Sequence, residues 1–378
     1  MKEQVLYFLL LLVLFAACRG EIPLIQEEEE NVSPPSGDKT VAGFYLLNEG
    51  NMGSNKASLD YFDSSKGQYH RNIYAERNPS IVKELGDVGN DIAVYGSKLY
   101  AVINCSNYVE VMDARTAKHI GSFEVQNCRY ITFGKGKAYV SSYAGPVQID
   151  PNARPGKVVE VDTVNFQIQR EVTVGYQPEE MVITDGKLYV ANSGGYRVPN
   201  YDKTISVIDL ASFTETKKIN VAINLHRMRL DNYGNIYVTS RGDYYDVHSN
   251  VYVINSKTDL VTSVLDFPAN ELWVHGDSLY AYSSEFSKYT NEYTVNYTIY
   301  DVKKRKVMTK NFITDGSDKE IDIPYALAVH PVTSEIFVSD AKDYVTPGRL
   351  YCFSPDGKQK WTVTTGDIPA HIVFLMNK

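Results

Sequence analysis

The sequence predicts an all-β, seven-bladed β-propeller over residues 41–378, closed by its own C-terminal strand. Three observations carry that prediction. A short strand recurs as "FYLL" at 44, "KLYAV" at 98, "KAYVS" at 137, "KLYVA" at 187, "NIYVT" at 235, "SLYAY" at 278 and "EIFVS" at 335. These copies lie roughly forty to fifty-five residues apart, a period that points to solenoids or propellers, and strands joined by turns select the propeller. Each copy except the first follows a short strand ("DIAV", "YITF", "EMVI", "RMRL", "ELWV", "ALAV"), while "HIVFL" at 371 is left over at the end of the chain. Pairing the leftover strand with the first copy closes the ring and removes an open sheet edge. Finally, 29 Tyr, 15 Pro and 25 Gly favour strands and turns, and no long helical stripe competes with them.

With 378 residues, 43% apolar and 22% charged, the chain has room for two average domains or one large all-β domain. A net charge of -8 argues against a nucleic-acid surface, which needs clustered Lys and Arg.

Residues 1–17 ("MKEQVLYFLLLLVLFAA") combine Lys2 with an apolar run from Val5 to Phe15 and then small residues, the pattern of a signal peptide. The ending "AAC" resembles a bacterial lipobox, which makes Cys18 the lipidated N-terminus of the mature protein; Phe15 departs from the usual Leu. Ordinary secretion is the alternative. Residues 18–40 contain four consecutive Glu (Glu27–Glu30) with Pro34, Pro35 and Gly37, and are expected to be an acidic flexible tether. An acidic stretch behind such a Cys resembles the surface-export signal of Bacteroidota lipoproteins. The expected location is therefore the outer membrane, on the cell surface and held by lipid alone.

Within the propeller, a third strand follows each copy ("SLDYFD", "YVEVMD", "KVVEVD", "TISVID", "NVYVIN", "YTIYDV", "RLYCFS"), and fourth strands such as "ETKKINV" complete the blades. The recurrent Asp63, Asp113, Asp162, Asp209 and Asp301 precede short polar turns and are expected to cap backbone there rather than act as catalytic carboxylates. The strand-two tyrosines Tyr45, Tyr100, Tyr139, Tyr189, Tyr237 and Tyr280 share the blade period and are expected in the core.

Turns between strands one and two are tight, whereas strand-two-to-three connections such as "SSYAGPVQIDPNARPG" and "SSEFSKYTNEYTVN" are long. Long loops on one rigid face are where function gathers. The candidate ligand-binding residues are Tyr143, Tyr196, Arg197, Tyr201, Arg241, Asp243, Tyr244, Tyr245, Tyr289 and Tyr344, with Phe286 and Tyr293 beside them. Asn48, Asn104, Asn192 and His226 complete the set. Tyr offers wide stacking area and a hydroxyl at small entropic cost. The same loops can also simply pack on one another. Cys105 and Cys128 fall on this face and are expected to form a disulfide, with Cys352 a buried free thiol.

No HExxH, CxxC, GxSxG, Walker or GxGxxG pattern is present, so a metal site, a catalytic cofactor and hydrolase or nucleotide chemistry lack support. His226 and His371 stand at first-strand starts near the axis and could serve as a base or ligand.

"YVANSGG", "TISVIDL" and "YVTSRGD" resemble the YVTN and YncE-like surface propellers over residues 41–378. Together with the lipobox and Tyr-rich loops, the chain resembles the BtuG-type lipoproteins of Bacteroidota. That resemblance implies a non-enzymatic protein that captures cobalamin or related corrinoids and passes them to a BtuB-like TonB-dependent transporter. It supplies no short motif that fixes the corrinoid residues. A glycan- or protein-binding propeller, or a propeller lyase using His226 or His371, is the alternative.

Overall fold

A computed structural model of the chain describes residues 28–81, 85–287 and 292–377. Cys18 and Tyr289 lie outside the described residues, as do the signal peptide and most of the tether. Seven antiparallel sheets form the blades of a β-propeller, six with four strands and one with five. Within each four-stranded blade the strands follow one another in sequence, first to fourth.

Blade one differs because it is built from both ends of the chain. Its first strand is Pro369–Met376, which pairs antiparallel with Val41–Asn48 so that Leu46 faces Ile372 and Tyr45 faces Val373. The expected closure is thereby formed. Strands two and three are buried on both faces, and successive residues enter the cores on either side of the blade: Leu99, Ile103 and Met112 of blade two pack with Tyr45, Leu47 and Leu59 of blade one, while Tyr100 and Val102 face blade three.

The strand-two tyrosines lie in these cores, and two of them, Tyr45 and Tyr189, also staple one blade to the next. Tyr45 donates to the Ala114 carbonyl at 2.9 Å, and Tyr189 donates to Asp259 at 2.6 Å and the Ser256 carbonyl at 2.9 Å. The recurrent acids act in turns: Asp113 Oδ1 accepts from the backbone of Arg115 (3.0 Å) and Thr116 (2.9 Å), and Asp209 repeats the motif with Ser212.

Three expectations are corrected. Part of the acidic segment is ordered, since Glu28–Asn31 adds a fifth, outermost strand to blade one by pairing with Gln68–Arg71. The exposed edge of that blade offers unpaired backbone groups, so the segment can dock without burying side chains, and Glu28 pairs with Arg71. The Cys105–Cys128 disulfide is not formed, and both residues are free thiols, as is buried Cys352. Cys128 sits within the core between blades two and three, its Sγ near the Ile103 and Tyr108 carbonyls, and burial pushes its thiol up to about 12. Cys105 instead contacts Asn104 at the loop surface. Lastly, the blade-six loop is largely a hairpin, with strands Ser278–Ser287 and Glu292–Asp301 running in continuous register.

Tyr189→Ala removes a fully buried ring and its hydrogen bonds to Asp259 and the Ser256 carbonyl, leaving Asp259 with Lys187 alone. It should lower unfolding stability by about 3 kcal/mol, read as a shift in the urea midpoint, with Tyr189→Phe losing about 1 kcal/mol. An unchanged midpoint in Tyr189→Ala would remove these residues from the core account.

Candidate functional site

The first strands line the propeller axis, and their N-terminal ends open on the loop-rich face. Near that end, strand one carries one extra residue relative to strand two in six blades. The register slips between Gly89/Asp91, Pro178/Met181, Leu225/Met228 and Pro324/Leu327, and between the partners Val140/Ser142 and Leu47/Asn48. Such bulges interrupt the ladder and re-aim side chains. In three blades a strand-two hydroxyl accepts the backbone N–H at the bulge: Ser141 from Tyr130 (3.1 Å), Thr239 from Arg227 (3.0 Å) and Ser339 from Ala326 (2.7 Å).

The bulges let consecutive residues of one strand both engage partners around the axis. Glu179 binds Arg129 of the neighbouring blade at 3.2 Å, while Glu180 binds Arg227 at 3.2 Å and also pairs with Arg229. Glu271 closes a second contact to each of these arginines, at 2.7 Å from Arg227 and 3.0 Å from Arg229. Tyr130, from blade three, accepts from Arg227 at 2.9 Å and lies 2.9 Å from His226 Nε2 in blade five. The ion pairs join neighbouring blades, and Tyr130 ties blades three and five across the channel.

Glu179 is the centre of the upper layer. Its Oε2 accepts from Arg129 Nε and Nη2 (3.3 and 3.2 Å), and its Oε1 accepts from Tyr143 (2.6 Å), Ser193 (3.4 Å) and Arg241 (3.4 Å). Burial pushes this carboxyl up, but Arg129, Arg241 and the Tyr143 hydroxyl outweigh it and hold it below the usual range. Burial lowers His226 well below an ordinary imidazole, reinforced by Arg241, Arg227 and Arg129, so the ring is neutral at physiological pH. Burial lowers His371 in the same way, reinforced by Arg227, Arg229 and Arg129. Burial raises Glu49, whose carboxylate accepts from Tyr325 at 2.6 Å.

Above this layer opens a cavity of about 550 Å3. Arg129, Arg227, Arg241 and His226 line it from the channel side, with Tyr325 and Tyr282. Tyr196, Tyr244, Tyr293 and Tyr344 line it from the loops, with Ile149 and Val198.

Of the sequence-predicted residues, Tyr196, Arg241, Tyr244, Tyr344 and His226 thus line one cavity, and Tyr143 lies beneath it as a donor to Glu179. Tyr293 lines it too, and the other described candidates do not. Arg197 stacks on Tyr176 at 3.5 Å and donates to the Asn200 and Pro151 carbonyls, holding loops together. Asp243 accepts the backbone N–H groups of Tyr245, Asp246 and Val247 and shapes its own loop. Tyr201 and Tyr245 stand outside the cavity lining. Asn48, Asn104 and Asn192 are buried: Asn48 donates to Ser58, Asn104 to the Cys128 carbonyl and Asn192 to Thr204 and Ser206. Sequence reasoning missed Arg129, Glu179, Arg227, Tyr282 and Tyr325. For all but Tyr282, which lies within the strand Ser278–Ser287, the signal was charge and phenol at the starts of strands read as apolar ("CRYITF", "PEEMVI", "LHRMRL", "PYALAV").

The sequence pattern of the domain of unknown function DUF5074 matches residues 42–372. The chain belongs to that family. Comparison with curated proteins finds no match. Among solved structures, the chain is similar to a quinonprotein alcohol dehydrogenase-like protein from Bacteroides thetaiotaomicron, with 17% identity and TM-score 0.60 over 90% of this chain and 79% of that one. A functionally unknown protein from Desulfotomaculum acetoxidans gives 9% identity and TM-score 0.61 over 89% and 99% of the two chains. Kuenenia stuttgartiensis hydrazine synthase gives 17% and 0.56 over 71% and 77%. At these identities the likeness establishes the propeller fold alone.

The channel's electrostatics carry a pH signature at Asp91, which accepts from the backbone of Ile131 and Ile92, each at 2.9 Å. Burial raises it to about 7 against 3.8 for the exposed group. A carboxyl raised on folding favours the native state below its unfolded pKa, and that contribution is lost as pH rises through the folded value. The stability of the parent relative to Asp91→Asn should therefore fall between pH 4 and 8, by up to about 4 kcal/mol. Urea unfolding of the two proteins across that range measures it; a constant difference would contradict the burial of this group.

Proposed function

We propose that the protein is a non-catalytic propeller, lipid-anchored through Cys18 on the outer-membrane surface, that captures a corrinoid at the channel mouth and passes it to a BtuB-like TonB-dependent transporter. The observation that carries this reading is the pairing of an aromatic rim (Tyr196, Tyr244, Tyr293, Tyr344) with a buried, polar, cationic floor in one cavity. A corrin is a broad plane fringed by amides, so rings on several loops can stack on or edge it while floor donors meet its fringe. The cavity volume falls in the usual range for small-ligand clefts, roughly 300–1,000 Å3. A corrinoid is larger and would cover the mouth with one edge seated in the cavity. The YVTN-type repeats and the lipobox-like "AAC" support the same reading, and the engagement of His226 Nε2 by Tyr130 favours binding over proton transfer.

Titration of the purified protein with cyanocobalamin, followed by absorbance and calorimetry, tests the proposal. The parent should bind, and Tyr196→Ala, Tyr244→Ala and Tyr344→Ala should each weaken binding about tenfold or more. Tyr245→Ala, outside the cavity, should bind as the parent does. Absence of binding in the parent, or binding indifferent to all three rim changes, would refute capture at this mouth; a glycan bound there instead would replace the ligand class.

A further inference from the structure

We infer that the cavity floor is an oxyanion receptor, in which Arg129, Arg241 and Arg227 take a phosphate or carboxylate group of the captured ligand. The inference rests on reading the mouth as a ligand site, and it adds the chemistry of one ligand group. It begins with a mismatch of charge. Arg227 and Arg229 are matched by Glu180 and Glu271, two cations with two carboxylates. Arg129 and Arg241 share the single carboxylate of Glu179, one on each oxygen.

Glu179 has little left to give either cation. It is fully buried, and its two oxygens already accept from Arg129, Tyr143 and Ser193 besides Arg241. The contact to Arg241 is a single hydrogen bond at 3.4 Å, a loose one for a charge-assisted pair. A guanidinium carries five N–H donors in a planar fork suited to oxyanions, so Arg241 retains most of its capacity. Its side chain is 24% exposed and lines the cavity, whereas Arg129 is 12% and Arg227 7% exposed. One accessible cation thus stands over two deeper ones, in surroundings where water screens little.

Among the described residues, no other carboxylate contacts Arg129 or Arg241. Glu49, the next carboxyl, is bonded to Tyr325, and burial biases it toward the protonated form. His226, beside all three arginines, is held neutral and adds no charge. An incoming oxyanion would meet Arg241 first, with the neighbouring guanidiniums behind it.

Calorimetric titration of the full mature protein with inorganic phosphate and, in parallel, sodium acetate at low ionic strength tests the site without any corrinoid. Saturable binding of either ion is expected, and the tighter of the two distinguishes a phosphate from a carboxylate receptor. Arg241→Gln should weaken it about tenfold or more, and Arg241→Lys, which keeps the charge but loses the planar fork, should fall between Arg241→Gln and the parent. Glu179→Gln, which releases both arginines, should tighten it; should that variant not fold, the Arg241 pair decides. No saturable binding of either ion, or equal binding by parent and a folded Arg241→Gln, would overturn the inference. Oxyanion binding with no corrinoid binding would leave this receptor standing and remove the corrinoid, and corrinoid binding unaffected by phosphate and by Arg241→Gln would do the reverse.

Discussion

Everything in this structure depends on the pairing of Pro369–Met376 with Val41–Asn48. Seven blades enclose an axis only if the last meets the first, and that contact is a backbone ladder between the two ends of the chain. Once the ring closes, every first strand has neighbours on both sides and faces the axis, so polar groups placed there are buried together. Tyr130 can then reach His226, and Glu180 can reach Arg227, although each pair is distant in sequence.

A ring of buried charges would be costly if any member lacked a partner. The bulges answer that constraint geometrically. Adding a residue to strand one lets Glu179 and Glu180, adjacent in the chain, serve different arginines, and the strand-two hydroxyls of Ser141, Thr239 and Ser339 satisfy backbone donors that the bulge frees. The deeper layer of the channel is balanced pair for pair. The upper layer, under the aromatic rim, keeps Arg241 only loosely engaged, and this is where the channel meets solvent.

The fold was legible because its signals are local and periodic. Apolar alternation around each strand-two Tyr, turn acids such as Asp113 and the orphan "HIVFL" all follow from the blade and recur with it. The site was legible only at its rim. Tyr196, Tyr244 and Tyr344 could be placed by loop length, but Asn48, Asn104 and Asn192, at the starts of loops on the same face, turn inward, bonded to buried groups of the blades. Which way a polar residue at a strand end faces depends on the neighbouring blade, and no short stretch of sequence records it. The floor residues Arg129, Glu179 and Arg227 did leave a trace, charge within the innermost strands, which has meaning only once those strands are seen to line a channel. The ordered Glu28–Asn31 shows a related limit: an edge strand held by backbone pairing needs no apolar pattern to announce it.

The central claim is that the aromatic rim and cationic floor form one ligand-binding mouth. A crystal structure of the protein grown with cyanocobalamin measures this most directly. The account predicts the corrinoid over the loop-rich end of the channel, in contact with Tyr196, Tyr244 and Tyr344, with one of its anionic or amide oxygens at Arg241. A corrinoid bound on the opposite face, or at blade edges with this mouth empty, would contradict it.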